Sequence, residues 1–281
     1  MKKLKHITLL ALALLTLSGA ASELRAQHVV AVTTGCGMAT ARLYPKQETR
    51  PLWGTWTAGF SWRYYSLPRF VGGVGIDIDW MQRGFSYAPY ASIYDNKKQF
   101  KYYTRRVNTI MMPIVWQPHI YLFKNRMRVY LEAAATFSYN FCSTFVNNER
   151  YTFGADISSG REQIAGKYQM RTERDNRFGF GLAGGGGFDF LFGRFEVGVR
   201  ARYDFGFSDL MRNRNKDYDN SLDQITSPGE NPFWYTPLRS PLDNLNISLR
   251  FGFRLHKDGF KEWNVKKKPR KKNEEVFKFA L

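Results

Sequence analysis

Residues 194–205 read Arg194-Phe195-Glu196-Val197-Gly198-Val199-Arg200-Ala201-Arg202-Tyr203-Asp204-Phe205. Taken in period two, one set is Phe195, Val197, Val199, Ala201, Tyr203 and Phe205. The other is Arg194, Glu196, Gly198, Arg200, Arg202 and Asp204. Successive side chains of a strand point to opposite faces, so this stretch predicts a strand with one apolar and one charged side. Its length suits a membrane-crossing strand, which needs about 9–11 residues. A solvated edge strand of a soluble sandwich would read the same way, so the decision rests on whether other stretches repeat the pattern.

Several do. Residues 55–65 alternate Trp56, Ala58, Phe60, Trp62 and Tyr64 against Thr57, Gly59, Ser61, Arg63 and Tyr65. Residues 71–85 set Val74, Ile76, Ile78 and Trp80 against Gly73, Gly75, Asp77, Asp79 and Met81. Residues 128–139 set Val129, Leu131, Ala133, Ala135 and Phe137 against Arg128, Tyr130, Glu132, Ala134, Thr136 and Ser138. Residues 245–255 set Leu245, Ile247, Leu249, Phe251, Phe253 and Leu255 against Asn246, Ser248, Arg250, Gly252 and Arg254. Further strands are predicted over 28–38, 105–119 and 177–190. The fourth of the eight is less regular: Met111, Pro113 and Val115 fall on its polar face, and Pro113, which lacks a ladder donor, points to a bulge or a non-hydrogen-bonded position.

The connections alternate in length. Those at 44–51, 86–103, 140–176 and 208–243 are long, whereas those at 66–69, 123–125 and 191–193 are tight. Long external loops and short periplasmic turns are the asymmetry of outer-membrane barrels, and an even strand count leaves both termini in the periplasm.

The first residues form a targeting signal. Lys2, Lys3 and Lys5 precede an apolar run at 7–17, with cleavage predicted after Ala21 or Ala26 and no lipoprotein cysteine beyond. Downstream there is no run of about 18 apolar residues, so a transmembrane helix is not expected, and a closed barrel is the other fold that satisfies every backbone group in lipid. Aromatic residues make up 16% of the chain while 23% is charged, a mixture that a barrel with a polar interior accommodates. The formal charge is +18; removing residues 1–26, with four basic residues and Glu23, leaves +15. For an exported chain the counter-charge is expected to be outer-membrane lipid or lipopolysaccharide, not nucleic acid. Cys36 and Cys142 fall on different predicted strands and are read as unpaired thiols, a disulfide being the minor alternative.

A soluble lipocalin-like barrel would put the apolar face inside and the polar face in water. Here Arg63, Asp77, Asp79, Glu132, Glu196, Arg200, Arg202, Asp204, Arg250 and Arg254 share the polar face, five of each sign. An eight-stranded interior is only wide enough for side chains to fill, so these charges are predicted to pair and plug the lumen. A two-sheet sandwich with the charges in solvent is not excluded by periodicity alone. Trp56, Trp62, Trp80, Trp116, Tyr64, Tyr139 and Tyr203 lie near strand ends, as interfacial girdles require.

Over residues 29–255 the order of segments resembles the Bacteroidetes outer-membrane β-barrel family that includes the PorT-type proteins of type IX secretion. The resemblance is carried by Asp79-Trp80-Met81-Gln82-Arg83-Gly84, by Ile110-Met111-Met112-Pro113-Ile114, and by the closing strand Asp243-Asn244-Leu245-Asn246-Ile247-Ser248-Leu249-Arg250-Phe251. Met111 departs from the acidic residue usual in the family. The resemblance implies a role in protein secretion.

Catalytic motifs are missing. The chain has no GxSxG, HExxH, CxxC or Walker-type loop, and His119 is expected to be structural. Gly184-Gly185-Gly186-Gly187 superficially resembles a phosphate cradle but lies within a strand, where it would serve tight curvature or make room for neighbours such as Arg200. Asp77 and Asp79 could mimic a carboxylate pair; charge compensation by nearby arginines is the expected role.

The sequence therefore predicts a cleaved signal (1–26), a monomeric all-β, eight-stranded antiparallel transmembrane β-barrel (28–256), and a basic periplasmic tail (257–281). The tail residues Lys266, Lys267, Lys268, Arg270, Lys271 and Lys272 are candidates for contact with a periplasmic or secretion-machinery protein or an anionic surface, or simply a solvated tail. No enzyme activity, cofactor or metal is expected. The expected role is that of a structural or accessory envelope component of an outer membrane; a small diffusion channel and a surface adhesin or binding protein acting through the external loops are the alternatives.

Overall fold

Alternation sustained over a dozen residues leaves each strand with an apolar edge-to-edge face that must be covered by lipid or protein. In the computed structural model the strands close on themselves. The structure describes residues 27–47, 49–65, 72–87, 103–123, 126–147, 164–212, 214, 217–220, 230–233 and 235–255. The predicted signal and basic tail lie outside these residues.

Eleven strands are present among them: β1 (Gln27–Ala41), β2 (Thr49–Arg50), β3 (Leu52–Tyr65), β4 (Gly73–Tyr87), β5 (Tyr103–Gln117), β6 (His119–Leu122), β7 (Met127–Asn147), β8 (Ile164–Tyr168), β9 (Phe178–Phe192), β10 (Phe195–Gly206) and β11 (Leu242–Arg254). Eight of them, β1, β3, β4, β5, β7, β9, β10 and β11, form a closed antiparallel ring. It is sealed where β1 pairs with β11 and where β4 pairs with β5. β6 continues β5 beyond Pro118 against β7, while β2 and β8 add to the wall at the end of the long loops. The short connections and both described chain ends lie at the opposite end, which we call the turn end.

β10 has 12 residues. At about 3.3 Å per residue and a tilt of about 40°, such a strand covers roughly 30 Å, the thickness of a hydrocarbon core. The outward residues are apolar around the ring, with Leu131, Phe180, Ile247, Phe251 and Ile114 all more than half exposed. The interior is the reverse. Its largest fully buried side chains include Arg63, Arg128, Arg202 and Arg250. A lipocalin-like or sandwich arrangement is thereby excluded, because the apolar face lies outside and the charged face is enclosed.

Several boundaries differ from the sequence expectation. The loop expected from residue 140 begins only after Asn147, and β8 lies within it. The cause is a bulge: Asn108 pairs with Cys142 and Thr109 with Asn140, leaving Phe141 as the extra residue. Even-numbered residues of β7 face inward before it and odd-numbered ones after it, so no single period runs through the strand. The predicted strand 105–119 is divided at Pro118 into β5 and β6. β3 and β11 each start three residues earlier than predicted, and β1 ends three residues later. At Pro113 the β4–β5 ladder has a gap between the pairs Ile76–Ile114 and Asp79–Met111, in keeping with the missing donor. A second bulge at Gly54, with φ of 70°, re-aims Trp53 outward between β1 and β3.

Cys36 and Cys142 are free thiols on the outer face of β1 and β7.

Candidate functional site: the lumen and its cap

Each charged lumen residue is aimed inward by strand alternation. Together they form two linked tiers. Near the turn end, Arg128 of β7 lies 2.5 Å from both Asp189 of β9 and Glu196 of β10. Arg250 of β11 bridges the same two carboxylates at 2.9 and 3.2 Å, and Arg254 holds Glu196 at 2.6 Å. The Tyr65 ring packs 4.2 Å from the Arg128 guanidinium.

The middle tier joins β3, β4, β7 and β10. Arg202 contacts Asp77 at 2.6 Å and Asp79 at 2.9 Å, and its Nε donates to Glu132 at 2.5 Å. Arg200 reaches Asp77 at 3.0 Å, Asp79 at 3.8 Å and the Ser248 hydroxyl at 3.3 Å. Arg63 pairs with Asp77 and stands 3.8 Å from Glu132. Gln117 links the tiers: its Oε1 accepts from Arg63 Nε and from the Tyr65 hydroxyl, each at 3.1 Å.

Nine of the ten lumen residues singled out in the sequence thus meet a charge of opposite sign. Asp204 instead accepts from Asn246 at 3.3 Å. Three members were not singled out. Arg128 is the first residue of its predicted inner set, beside a turn; Asp189 sits in a Gly- and Phe-rich strand. Arg83, which donates to the Leu242 carbonyl, lies where β4 rises beyond the membrane belt. Writing β9 in period two, with Phe188, Phe190 and Phe192 outward, would have exposed Asp189.

Glycines make room for these charges. Across β3–β4, Gly59 pairs with Asp79 and Gly75 with Arg63. Across β9–β10, Gly198 pairs with Asp189, Gly187 with Arg200 and Gly185 with Arg202, while Gly252 of β11 pairs with Glu196. A Cβ at Gly59 would run into the Asp79 carboxylate, and one at Gly198 into that of Asp189. Of the four-glycine run, Gly185 and Gly187 face the lumen, whereas Gly184 faces open space outside.

Not all of the interior is charged. Val115, Ala134 and Ala183 form a small buried cluster beside the middle tier, which accounts for Val115 on the inner face of β5.

Above the tiers, the described parts of the long loops fold over the barrel mouth. Leu43, Phe85, Tyr103, Val107, Phe145, Tyr168, Leu210, Met211 and Phe233 form a continuous buried cluster. Within it Arg105 pairs with Asp175 at 3.1 Å and stacks on Tyr168, its guanidinium 3.5 Å from the ring centre. The Tyr168 hydroxyl also donates to Asp175 at 3.1 Å, and burial pushes it well above the ordinary tyrosine range, so it remains a donor. Backbone bonds from Asn176 to Leu210 and from Arg212 to Arg174 tie the third long loop to the fourth, and one from Leu210 to Ser240 holds the two ends of the fourth together.

The family model described as "Outer membrane protein beta-barrel domain" matches residues 26–212. Comparison with curated protein sequences finds no match. Among solved structures, the chain is similar to Neisserial surface protein A at 8% identity, covering 79% of this chain and 95% of that one, with a TM-score of 0.36. It is also similar to the attachment invasion locus protein Ail of Yersinia pestis, solved with the heparin analogue sucrose octasulfate. The identity is 10%, with coverage of 81% and 99% and a TM-score of 0.32. A third is the N-terminal β-barrel domain of Pseudomonas aeruginosa OprF, at 9% identity, 79% and 97% coverage and a TM-score of 0.26.

Proposed function

The chain belongs to the outer-membrane β-barrel family, and from that premise we propose that it acts as a closed, non-conducting barrel, a structural or accessory component of the envelope. Its loop end would face outward and both termini the periplasm. The observation that carries this reading is the filled interior: two ion-pair tiers occupy the bore, and a packed cap of loop residues covers its mouth. Charges that meet across the bore at 2.5–3.2 Å fill it with side-chain atoms, which supports a lumen closed to solute. The finer assignment, to PorT-like secretion machinery, rests on the resemblance at 79–84, 110–114 and 243–251. There the periplasmic partner would be met by the basic residues 266–272.

Planar-bilayer recording on the purified protein tests the closed lumen. No steady conductance is expected, and an ohmic channel of constant unit size would replace this reading with that of a diffusion pore. Affinity capture from solubilised envelopes, with and without residues 257–281, tests the accessory role. A defined partner lost with the tail supports it, while an unchanged partner set removes the tail from the account.

A second reading, recognition through the external loops, is favoured by the cap itself. Its apolar cluster and its Arg105–Asp175 pair hold the loops in one arrangement before any ligand arrives, which lowers the ordering cost of binding.

A further inference from the structure

Beyond the closed ring, β4, β5, β7 and β8 rise together as a panel, with β2 at its edge. Its inner face is fixed by the buried side chains of Phe85, Tyr103, Val107, Phe145 and Tyr168. The alternate residues must therefore face outward, away from the cap. Pairing places Arg106, Thr144 and Lys167 in one row across β5, β7 and β8. The next row up holds Ser86, Thr104 and, on β2, Arg50. Among the described residues of these strands above the belt there is no Asp or Glu on either face.

The height of this patch is informative. Trp80, Ile110, Tyr139 and Phe178 pair across four strands as an apolar and aromatic row. Arg106 lies four residues above Ile110, about 13 Å along the strand and about 10 Å in height after tilt. The headgroup zone occupies roughly 5–7 Å beyond the hydrocarbon on each side, within reach of long basic side chains that extend toward it. Trp53 and Trp56, both well exposed, flank the patch on β3, where Arg106 Nη1 also donates to the Gly54 carbonyl at 3.4 Å. Across two strand spacings of about 4.8 Å, the Cα atoms of Arg106 and Lys167 stand about 10 Å apart with Thr144 between them, and the Arg106 side chain must swing from the Gly54 carbonyl to share a ligand with Lys167.

The geometry points to a binding site on this panel for the phosphorylated headgroup of an outer-leaflet glycolipid of the lipopolysaccharide class. Arg106 and Lys167 are its phosphate partners, and Thr144 is a hydroxyl partner between them. Guanidinium and ammonium groups bind phosphate oxygens through charge-assisted hydrogen bonds, and among the described residues of these strands above the belt no carboxylate competes for Arg106 or Lys167. Acyl chains would lie on the apolar row below. The site rests on the outward orientation of the loop end given above.

The test uses the full-length protein folded in detergent and two probes, bisphosphorylated lipid A and its dephosphorylated form, with binding read by native mass spectrometry. The wild type should retain the phosphorylated probe at least tenfold better. The Arg106→Gln/Lys167→Gln variant should lose that preference, and Arg106→Lys should keep most of it. Arg126→Gln, a change at the turn end, should leave it intact. Equal retention of both probes by the wild type, or undiminished preference in the double variant, overturns the site. Unboiled gel mobility confirms that the variants are folded. Orientation is read separately, by labelling Lys167→Cys in a Cys36→Ser/Cys142→Ser background with an impermeant maleimide on intact cells. Labelling supports an outer-leaflet ligand. Its absence removes the outer-leaflet source, and the outward orientation with it, even if phosphate preference holds in detergent.

Discussion

Arg202→Met is the substitution that most directly probes the lumen. Arg202 is 1% exposed and binds three carboxylates at once, Asp77, Asp79 and Glu132. Methionine fills much of the same space without charge. Asp77 would keep Arg63 and Arg200, but Asp79 would keep only Arg200 at 3.8 Å and Glu132 only Arg63 at 3.8 Å. Removing one partner of a buried ion pair costs about 3–5 kcal/mol, because a charge is left uncompensated. With two carboxylates nearly stranded, the upper end, about 4–5 kcal/mol, is expected. Arg200→Met removes one close contact, to an Asp77 that retains two arginines, so its cost should be about 2–3 kcal/mol. Equilibrium urea unfolding in lipid vesicles, followed by tryptophan fluorescence, measures both. Adding Asp79→Asn and Glu132→Gln to Arg202→Met should recover at least half the loss, since replacing a whole buried network is far less costly than breaking it. An Arg202→Met loss below about 1 kcal/mol, or a larger loss for Arg200→Met, would refute the assignment of Arg202 as the hub.

Val199→Arg places a charge on the lipid face of β10 and should cost about 2–4 kcal/mol, seen as a smaller fraction of heat-modifiable folded protein on unboiled gels. Gly198→Ala drives a Cβ into both the Asp189 carboxylate and the Phe188 carbonyl and should destabilise by about 1–3 kcal/mol, whereas Gly184→Ala, with open space around it, should stay within about 0.5 kcal/mol; the same urea titration reports both. Phe233→Ala empties part of the cap, where its ring lies 6.3 Å from that of Phe85. A local loss of about 3 kcal/mol should speed proteolysis within 207–241 while the unfolding midpoint of the barrel stays in place.

The strand alternation made the fold legible because the barrel contrasts its two faces more sharply than a soluble protein does. Trp56, Phe60 and Trp62 against Thr57, Ser61 and Arg63 can be sorted without knowing any neighbour. What could not be read depends on contacts between strands. The bulge at Phe141 shifts parity in mid-strand, and β8 is recognisable only through its pairing with β7. The cap was hidden for a different reason. Leu210-Met211 and Phe233 belong to short apolar groups in otherwise polar loops, with no period to reveal that they meet. The outer row of Arg106 and Lys167 brings together residues 61 positions apart, and only the register aligns them.

The glycines explain why so many long charged side chains fit inside a narrow barrel. An eight-stranded interior is filled by ordinary side chains, so arginines and carboxylates reaching across it need positions with no side chain at all. That is the pattern found: Asp79 faces Gly59, Asp189 faces Gly198, Glu196 faces Gly252, and Arg200 and Arg202 face Gly187 and Gly185. A glycine within a strand loses about 0.5–1 kcal/mol relative to alanine, so this arrangement is a standing cost. It is offset only if each space receives a matched charge. The charges hold the staves together from within, and the glycines let them reach one another. A variant that fills one such space while neutralising its partner, Gly59→Ala with Asp79→Ala, where the carboxylate is the nearest obstacle, should therefore be more stable than the sum of the two single changes. Strict additivity in that double-mutant cycle would show that the glycine serves curvature alone.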